Sequence, residues 1–217
     1  MLPAHTVGLW ATGHEHLGGG HFMYDAYLGN GSRIVDGTLD FNAHRDDNAN
    51  KAIGGNVGYA FSGALDGLLV GLHALREDVN AYQEGALVAR TRLAMAGGYF
   101  YLDRDDWEGI GEYYRFRNRD LDTGATHSSW AAFLQLGRTF AEHWTPYYRW
   151  EKTTFDRQDP YFALQETGQA YRRHVLGVRY ALNPNTDLKL EANQTRERFG
   201  AEDKSYTETR AQFAVRF

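Results

Sequence analysis

The chain has no cysteine, which removes both a disulfide framework and thiolate metal sites. Proline is scarce, at 4 residues, and there is no apolar run of the ~18 residues that a transmembrane helix requires. Positive charge is not in surplus. Its 23 Lys and Arg against 28 Asp and Glu leave a net charge of −5, which argues against nucleic-acid partners. The opening "MLPAHTVGLW" lacks the basic and apolar regions of a signal peptide. Helical periodicity is nearly absent. The best helix candidate is "EGALVARTRLAMA" at 84–96, which runs into the strand-like "GGYFYLD".

What the chain does have is glycine, at 24 residues, tyrosine, at 14, and aromatics at 14%, a composition tilted toward β structure. Segments of strict apolar/polar alternation recur at 5–14, 20–29, 33–44, 52–62, 67–76, 91–102, 107–118, 128–140, 145–155, 171–182, 187–198 and 206–217. In 52–62, Ile53, Gly55, Val57, Tyr59 and Phe61 fall on one face and smaller residues on the other. In the last segment, Thr207, Thr209, Ala211, Phe213, Val215 and Phe217 oppose Glu208, Arg210 and Arg216. A mean hydropathy of −0.58 is compatible with a membrane, because barrel strands alternate apolar-out with polar-in.

Counting back from the last strand with alternating direction sorts the connections. The short "NGS", "SGALDG", "YLDRDDW", "AEHW" and "NPNT" fall on one side. The longer "HEHLGGG", "HRDDNANK", "REDVNAYQEGALVA", "NRDLDTGATH", "DRQDPYFALQETGQ" and "RFGAEDKS" fall on the other. That asymmetry predicts one domain over 1–217: a transmembrane antiparallel up-and-down β-barrel of about twelve strands, with short periplasmic turns and longer extracellular loops. Tyr59, Phe61, Trp107, Trp144, Tyr148, Tyr180 and Phe217 form the expected girdle on the short-turn side. Phe22, Phe116, Trp130, Phe155 and Phe199 form the expected girdle on the long-loop side.

Beyond pattern, "NKAIGGNVGYAFSGALDGLLVGLH", "WEGIGEYYRFRNRD" and "RRHVLGVRYALNPNTDLKLEANQTRE" resemble outer-membrane porin-like proteins of Gram-negative bacteria. The ending "AQFAVRF" resembles the closing strand read by the barrel-assembly machinery, with Phe217 as the assembly signal. The resemblance implies an outer-membrane location, contact with outer-membrane lipid, and longer relatives whose C-terminal part these segments match. It carries no catalytic residues and implies no cofactor.

The inward phase supplies lumen-lining candidates: Asp25, Asp36 and Asp40 on early strands, and Arg149, Glu151, Arg173, Arg179, Lys189, Glu191, Glu208 and Arg210 on late ones. Facing rows of opposite charge would set a transverse field and discriminate small polar or ionic solutes. The same residues could instead form an Arg–carboxylate network that fills the lumen. Glu112 breaks phase, sharing a face with Ile110, Tyr114 and Phe116. A bulge or a strand that turns its other face outward explains this best. "HEHLGGGH" gathers His14, Glu15, His16 and His21, read as an exposed Gly-rich loop rather than a metal site. His127 and Ser129 are on one face but lack an evident orienting partner, so the expectation is a channel and not an enzyme.

Overall fold

The computed structural model describes residues 7–41, 50–167, 169–199 and 202–216; Phe217 lies outside them. In chain order the strands are β1 (Gly8–Leu17), β2 (Gly20–Gly29), β3 (Arg33–Val35), β4 (Thr38–Asp40), β5 (Ala52–Phe61), β6 (Leu68–Gln83), β7 (Ala86–Arg104) and β8 (Trp107–Asp120). There follow β9 (Thr126–Arg138), β10 (Trp144–Thr154), a one-turn helix α1 (Pro160–Ala163), β11 (Tyr171–Asn183), β12 (Thr186–Phe199) and β13 (Glu202–Val215). They form one 13-stranded sheet whose main path runs β1-β2-β5-β6-β7-β8-β9-β10-β11-β12-β13. Every step along that path is antiparallel, the up-and-down arrangement of a membrane barrel. Among the described residues no pairing joins β1 to β13.

Two segments depart from expectation. The long loop "REDVNAYQEGALVA" at 76–89 is strand on either side of a tight turn, since β6 runs to Gln83 and β7 starts at Ala86, and the helix candidate 84–96 is that turn followed by the strand expected over 91–102. Glu84 (φ 50°) and Gly85 (φ 80°) supply the two positive angles of a tight hairpin turn. Beyond it Ala89, Leu93 and Met95 alternate inward, so cross-strand packing overrides the helical preference of Ala and Leu. Segment 33–44 is likewise not a spanning strand. Asp36 (φ 47°) and Gly37 (φ 81°) turn the chain back on itself, making the β3–β4 hairpin. Residues Arg33–Val35 then run parallel to Asn80–Tyr82 of β6.

Removing that span reverses the direction assigned to β1 and β2. "HEHLGGG" becomes the end of β1 and the tight Gly18–Gly19 turn, on the short-turn side, where the His16 and His21 rings meet 4.2 Å apart. The β3–β4 hairpin, which lies between β2 and β5 in the chain, moves to the long-loop side with residues 155–167.

The two faces of the wall differ as barrel strands require. On β6, Val70 and Leu72 are exposed while His73, Leu75 and Glu77 are buried. Leu72, Leu176, Leu190 and Phe213 are each more than half exposed on the outward face, an apolar surface that fits lipid better than water. On β8 the outward residues are Trp107, Gly109, Gly111 and Tyr113. Glu112, Ile110, Tyr114 and Phe116 therefore face inward, which resolves the phase break: this strand turns its other face outward.

The girdles follow suit. Tyr59, Phe61, Trp107, Trp144 and Tyr180 band the short-turn end, and Phe22 belongs with them, since it pairs with Tyr59. Phe116 and Phe155 are not rim residues. Both pack inward on Phe162, with ring centroids 5.2 and 4.1 Å away.

Glycine has one decisive role in the wall. A Cβ on Gly177 would lie 2.1 Å from the Tyr147 ring, which lies flat over it on the neighbouring strand. Gly177→Val should displace that ring and lower stability by roughly 1–3 kcal/mol, measured by denaturant titration of the folded barrel in detergent.

Candidate functional site

The inward residues of β8 to β12 form a charged wall. Arg149 Nε donates to Glu151 Oε1 at 2.7 Å, and Arg173 approaches Glu151 Oε2 at 3.4 Å. Lys189 lies 3.0 Å from Glu191, to which Arg149 also reaches at 3.5 Å. Arg179 bonds Glu108 at 2.7 Å, bridging from β11 back to β8. Hydroxyls close the remaining valences: Tyr147 donates to Glu191 at 2.6 Å, Tyr171 to Glu151 at 3.0 Å, and Thr195 accepts from Arg173 at 2.9 Å. Such reciprocal pairing lets both signs sit beside a low-dielectric wall without an uncompensated charge.

Six of the sequence candidates come together here: Arg149, Glu151, Arg173, Arg179, Lys189 and Glu191. Glu208 and Arg210 follow on β13 as an exposed pair 2.8 Å apart, with Arg210 in register with Glu191. Asp25 lies on the inner face of β2, 3.4 Å from the Asn56 amide. Asp36 and Asp40 are not on barrel strands. Asp36 is a turn residue accepting the Glu84 amide at 2.8 Å, and Asp40 pairs with Arg33 at 3.0 Å. Among the described residues the wall charges are neighbours on adjacent strands. Acids and bases interleave on one wall, because cross-strand register places Glu151 opposite Arg173.

Glu108, Tyr147 and Tyr171 complete the wall in addition to the charged candidates. The signal for Glu108 was present, since the phase that exposes Glu112 as inward carries Glu108 with it.

The opposite wall is covered. Leu75, Val79, Leu93 and Met95 of β6 and β7 pack with Ile34 of the hairpin and with Tyr161 and Phe162 of α1. The 155–170 segment thus folds inward and reaches strands far from its own in the sheet, which places it in the concave side. Sequence explains its compact turn: Asp159 caps α1 by accepting the Tyr161 amide at 3.0 Å, and Pro160 takes the first helical position. Asn118 donates to the other Asp159 oxygen at 2.8 Å, and the Glu166 amide donates to the Gly37 carbonyl at 3.1 Å, tying this segment to the hairpin. A cavity of about 250 Å³ remains between the two, lined by Leu39, Glu77, Phe116 and Phe162 among others.

His127 does have a partner. Its Nδ1 lies 3.0 Å from Asp156, whose backbone amide donates to Ser129 Oγ at 3.0 Å. His127 and Ser129 are both buried, and among the described residues no hydrogen bond joins them. A nucleophile needs that bond to its base. The trio instead latches the start of the inward segment.

The Gln158 amide and the His127 ring hold the Asp156 carboxyl below the usual carboxylate range, while burial pushes Asp159 up. The docked segment therefore gains stability from Asp156 above the ordinary carboxylate pKa, and loses it as pH falls through the lowered value. Asp159 acts with the opposite sign, favouring docking as it protonates. Asp156→Asn should therefore remove the loss of docking that Asp156 contributes at acid pH and leave only the Asp159 trend, measured by limited proteolysis of the 155–167 segment against pH in parent and variant.

No protein-family model and no curated protein sequence matches this chain. Solved structures do match its fold. An anion-selective porin from Comamonas acidovorans aligns with a TM-score of 0.57 at 13% identity, covering 95% of this chain and 57% of that one. The outer membrane channel DcaP of Acinetobacter baumannii aligns with a TM-score of 0.58 at 12% identity, covering 94% of this chain and 60% of that one. The chain spans less than two thirds of the length of either. It has the fold of Gram-negative outer-membrane porins.

Proposed function

We propose that this chain forms the wall of an outer-membrane channel through which small polar or ionic solutes diffuse passively. The observation that carries this reading is the division of the inner surface. The hairpin and α1 cover the apolar wall of β6–β8, while the paired charges of β8–β12 stay partly open to water, Arg179 at 39% and Lys189 at 31% side-chain exposure. A hydrated, charged wall opposite an inward loop lowers the barrier for polar solutes and weights ions by sign. The fold shared with an anion-selective porin supports the same reading. Its partners would be outer-membrane lipid and, during insertion, the barrel-assembly machinery.

A second reading, a barrel that conducts nothing, draws on the apolar packing of α1 and the hairpin, which could extend to a full plug. Heat-modifiable migration combined with single-channel recording in planar bilayers separates the two. Discrete conductance steps are expected; a folded barrel without steps would favour the plug. Swapping Arg173 and Arg179 for Glu should move the reversal potential toward cations. An unmoved potential would remove both residues from the ion path.

A further inference from the structure

The outward face at the long-loop end carries cations that the channel reading does not use. Lys152 of β10 is in direct register with Arg172 of β11, and Arg172 with Arg196 of β12. All three point outward, one after another across adjacent strands. Like charges directly opposite on one face of a sheet repel and destabilise it. Among the described residues Arg172 and Arg196 have no carboxylate partner, and the nearby Asp203 is taken by Arg198 at 3.7 Å. Lys152 sits over the Trp130 ring, 5.2 Å from its centroid. Trp130 is in turn in register with Arg115, another outward cation without a carboxylate partner.

Depth gives the row its meaning. On β10 the chain climbs from the girdle residue Trp144 to Lys152, roughly 20 Å along the membrane normal at the usual strand rise and tilt. Strand β11 covers the same climb between Tyr180 and Arg172. Since the apolar band of such barrels is about 25 Å tall, the cations stand at its outer edge and can extend their heads to the headgroups. A shallow depression of about 610 Å³ lies along them, lined by Lys152, Arg172, Arg196 and Ser205 together with Glu197 and Asp203, whose carboxylates are engaged by Tyr206 and Arg198.

We infer that Lys152, Arg172 and Arg196, with Arg115 alongside, bind the phosphate groups of an anionic lipid of the outer leaflet. Guanidinium pairs match phosphate oxygens bidentately, and one phosphate between neighbouring cations turns their mutual repulsion into shared attraction. Ser205, in register with Arg196, adds a hydroxyl beside the row. The inference rests on the outer-membrane placement and not on conduction.

The test uses the full chain purified in neutral detergent, titrated with diphosphorylated lipid A, with dephosphorylated lipid A, and with inorganic phosphate. Retained lipid is read by native mass spectrometry and the thermal midpoint by intrinsic fluorescence. Diphosphorylated lipid A should bind and raise the midpoint, and the other two should not. In K152Q/R172Q/R196Q its affinity should fall on the order of 100-fold, from three charges lost at the membrane surface. Without lipid the triple variant should be at least as stable as the parent, because the repulsion is gone. Arg172→Gln alone, at the centre of the row, serves if the triple variant does not fold. Equal binding by parent and variant, or an equal response to dephosphorylated lipid or free phosphate, would overturn the inference. Conductance should be unchanged, since these side chains face away from the lumen, so a failed channel and a failed lipid site are told apart.

Discussion

Phe162→Ala should release the 155–170 segment from the inner wall and raise single-channel conductance severalfold. Phe162 is 7% exposed and stacks on Phe155, 4.1 Å between centroids, with the Phe116 ring set edge-on at 5.2 Å. Truncating a buried phenylalanine costs about 3–5 kcal/mol. Each 1.4 kcal/mol is about a tenfold change in a two-state equilibrium, so the docking equilibrium constant should fall by more than about 100-fold. The strands themselves are held by backbone ladders that the substitution does not touch. Heat-modifiable migration should therefore persist while the current rises. Gln158→Ala, at an exposed position of the same segment, should leave the current unchanged. If Phe162→Ala conducts like the parent, α1 does not restrict the path.

Glu151→Gln should shift ion selectivity toward anions with little loss of fold. Glu151 accepts from Arg149 at 2.7 Å, from Tyr171 at 3.0 Å and from Arg173 at 3.4 Å. Removing its charge leaves two guanidiniums with one fewer counter-charge on a partly buried wall. The potential there turns positive, and the low dielectric of the wall amplifies the change. Glutamine keeps an acceptor oxygen, so the hydrogen bonds survive in part. Glu151→Leu removes both charge and acceptor and should cost a further 1–3 kcal/mol, roughly. Reversal potentials across a salt gradient should move in the same direction for both variants. Arg173→Gln should move them the other way. A shift of stability without a shift of potential would make the network structural filler rather than part of the ion path.

Much of the barrel is legible in the residues alone, because a strand in a membrane wall has only two faces and lipid selects one of them. Period-two alternation placed β2, β5, β11 and β12 almost to the residue. Once that phase is read, Arg149, Glu151, Arg173, Arg179, Lys189 and Glu191 follow as inward residues. Where alternation is ambiguous, local pattern and fold part company for a physical reason. Segment 33–44 alternates too, yet Asp36–Gly37 favours a tight turn over a continued span, and one mistaken span reversed β1 and β2. On β8 both faces carry aromatics, so only the neighbours' register shows that Glu108 and Glu112 point inward.

Sequence by itself determined the class of structure, the membrane-facing surface and the identity of most inward charges, since these depend on local periodicity and on solvent. Tertiary structure decided which charges pair, that they interleave on one wall, and that α1 and the hairpin cover the other. Those outcomes depend on contacts between residues far apart in the chain, such as Arg179 with Glu108 and Phe162 with Phe116, which no local pattern encodes.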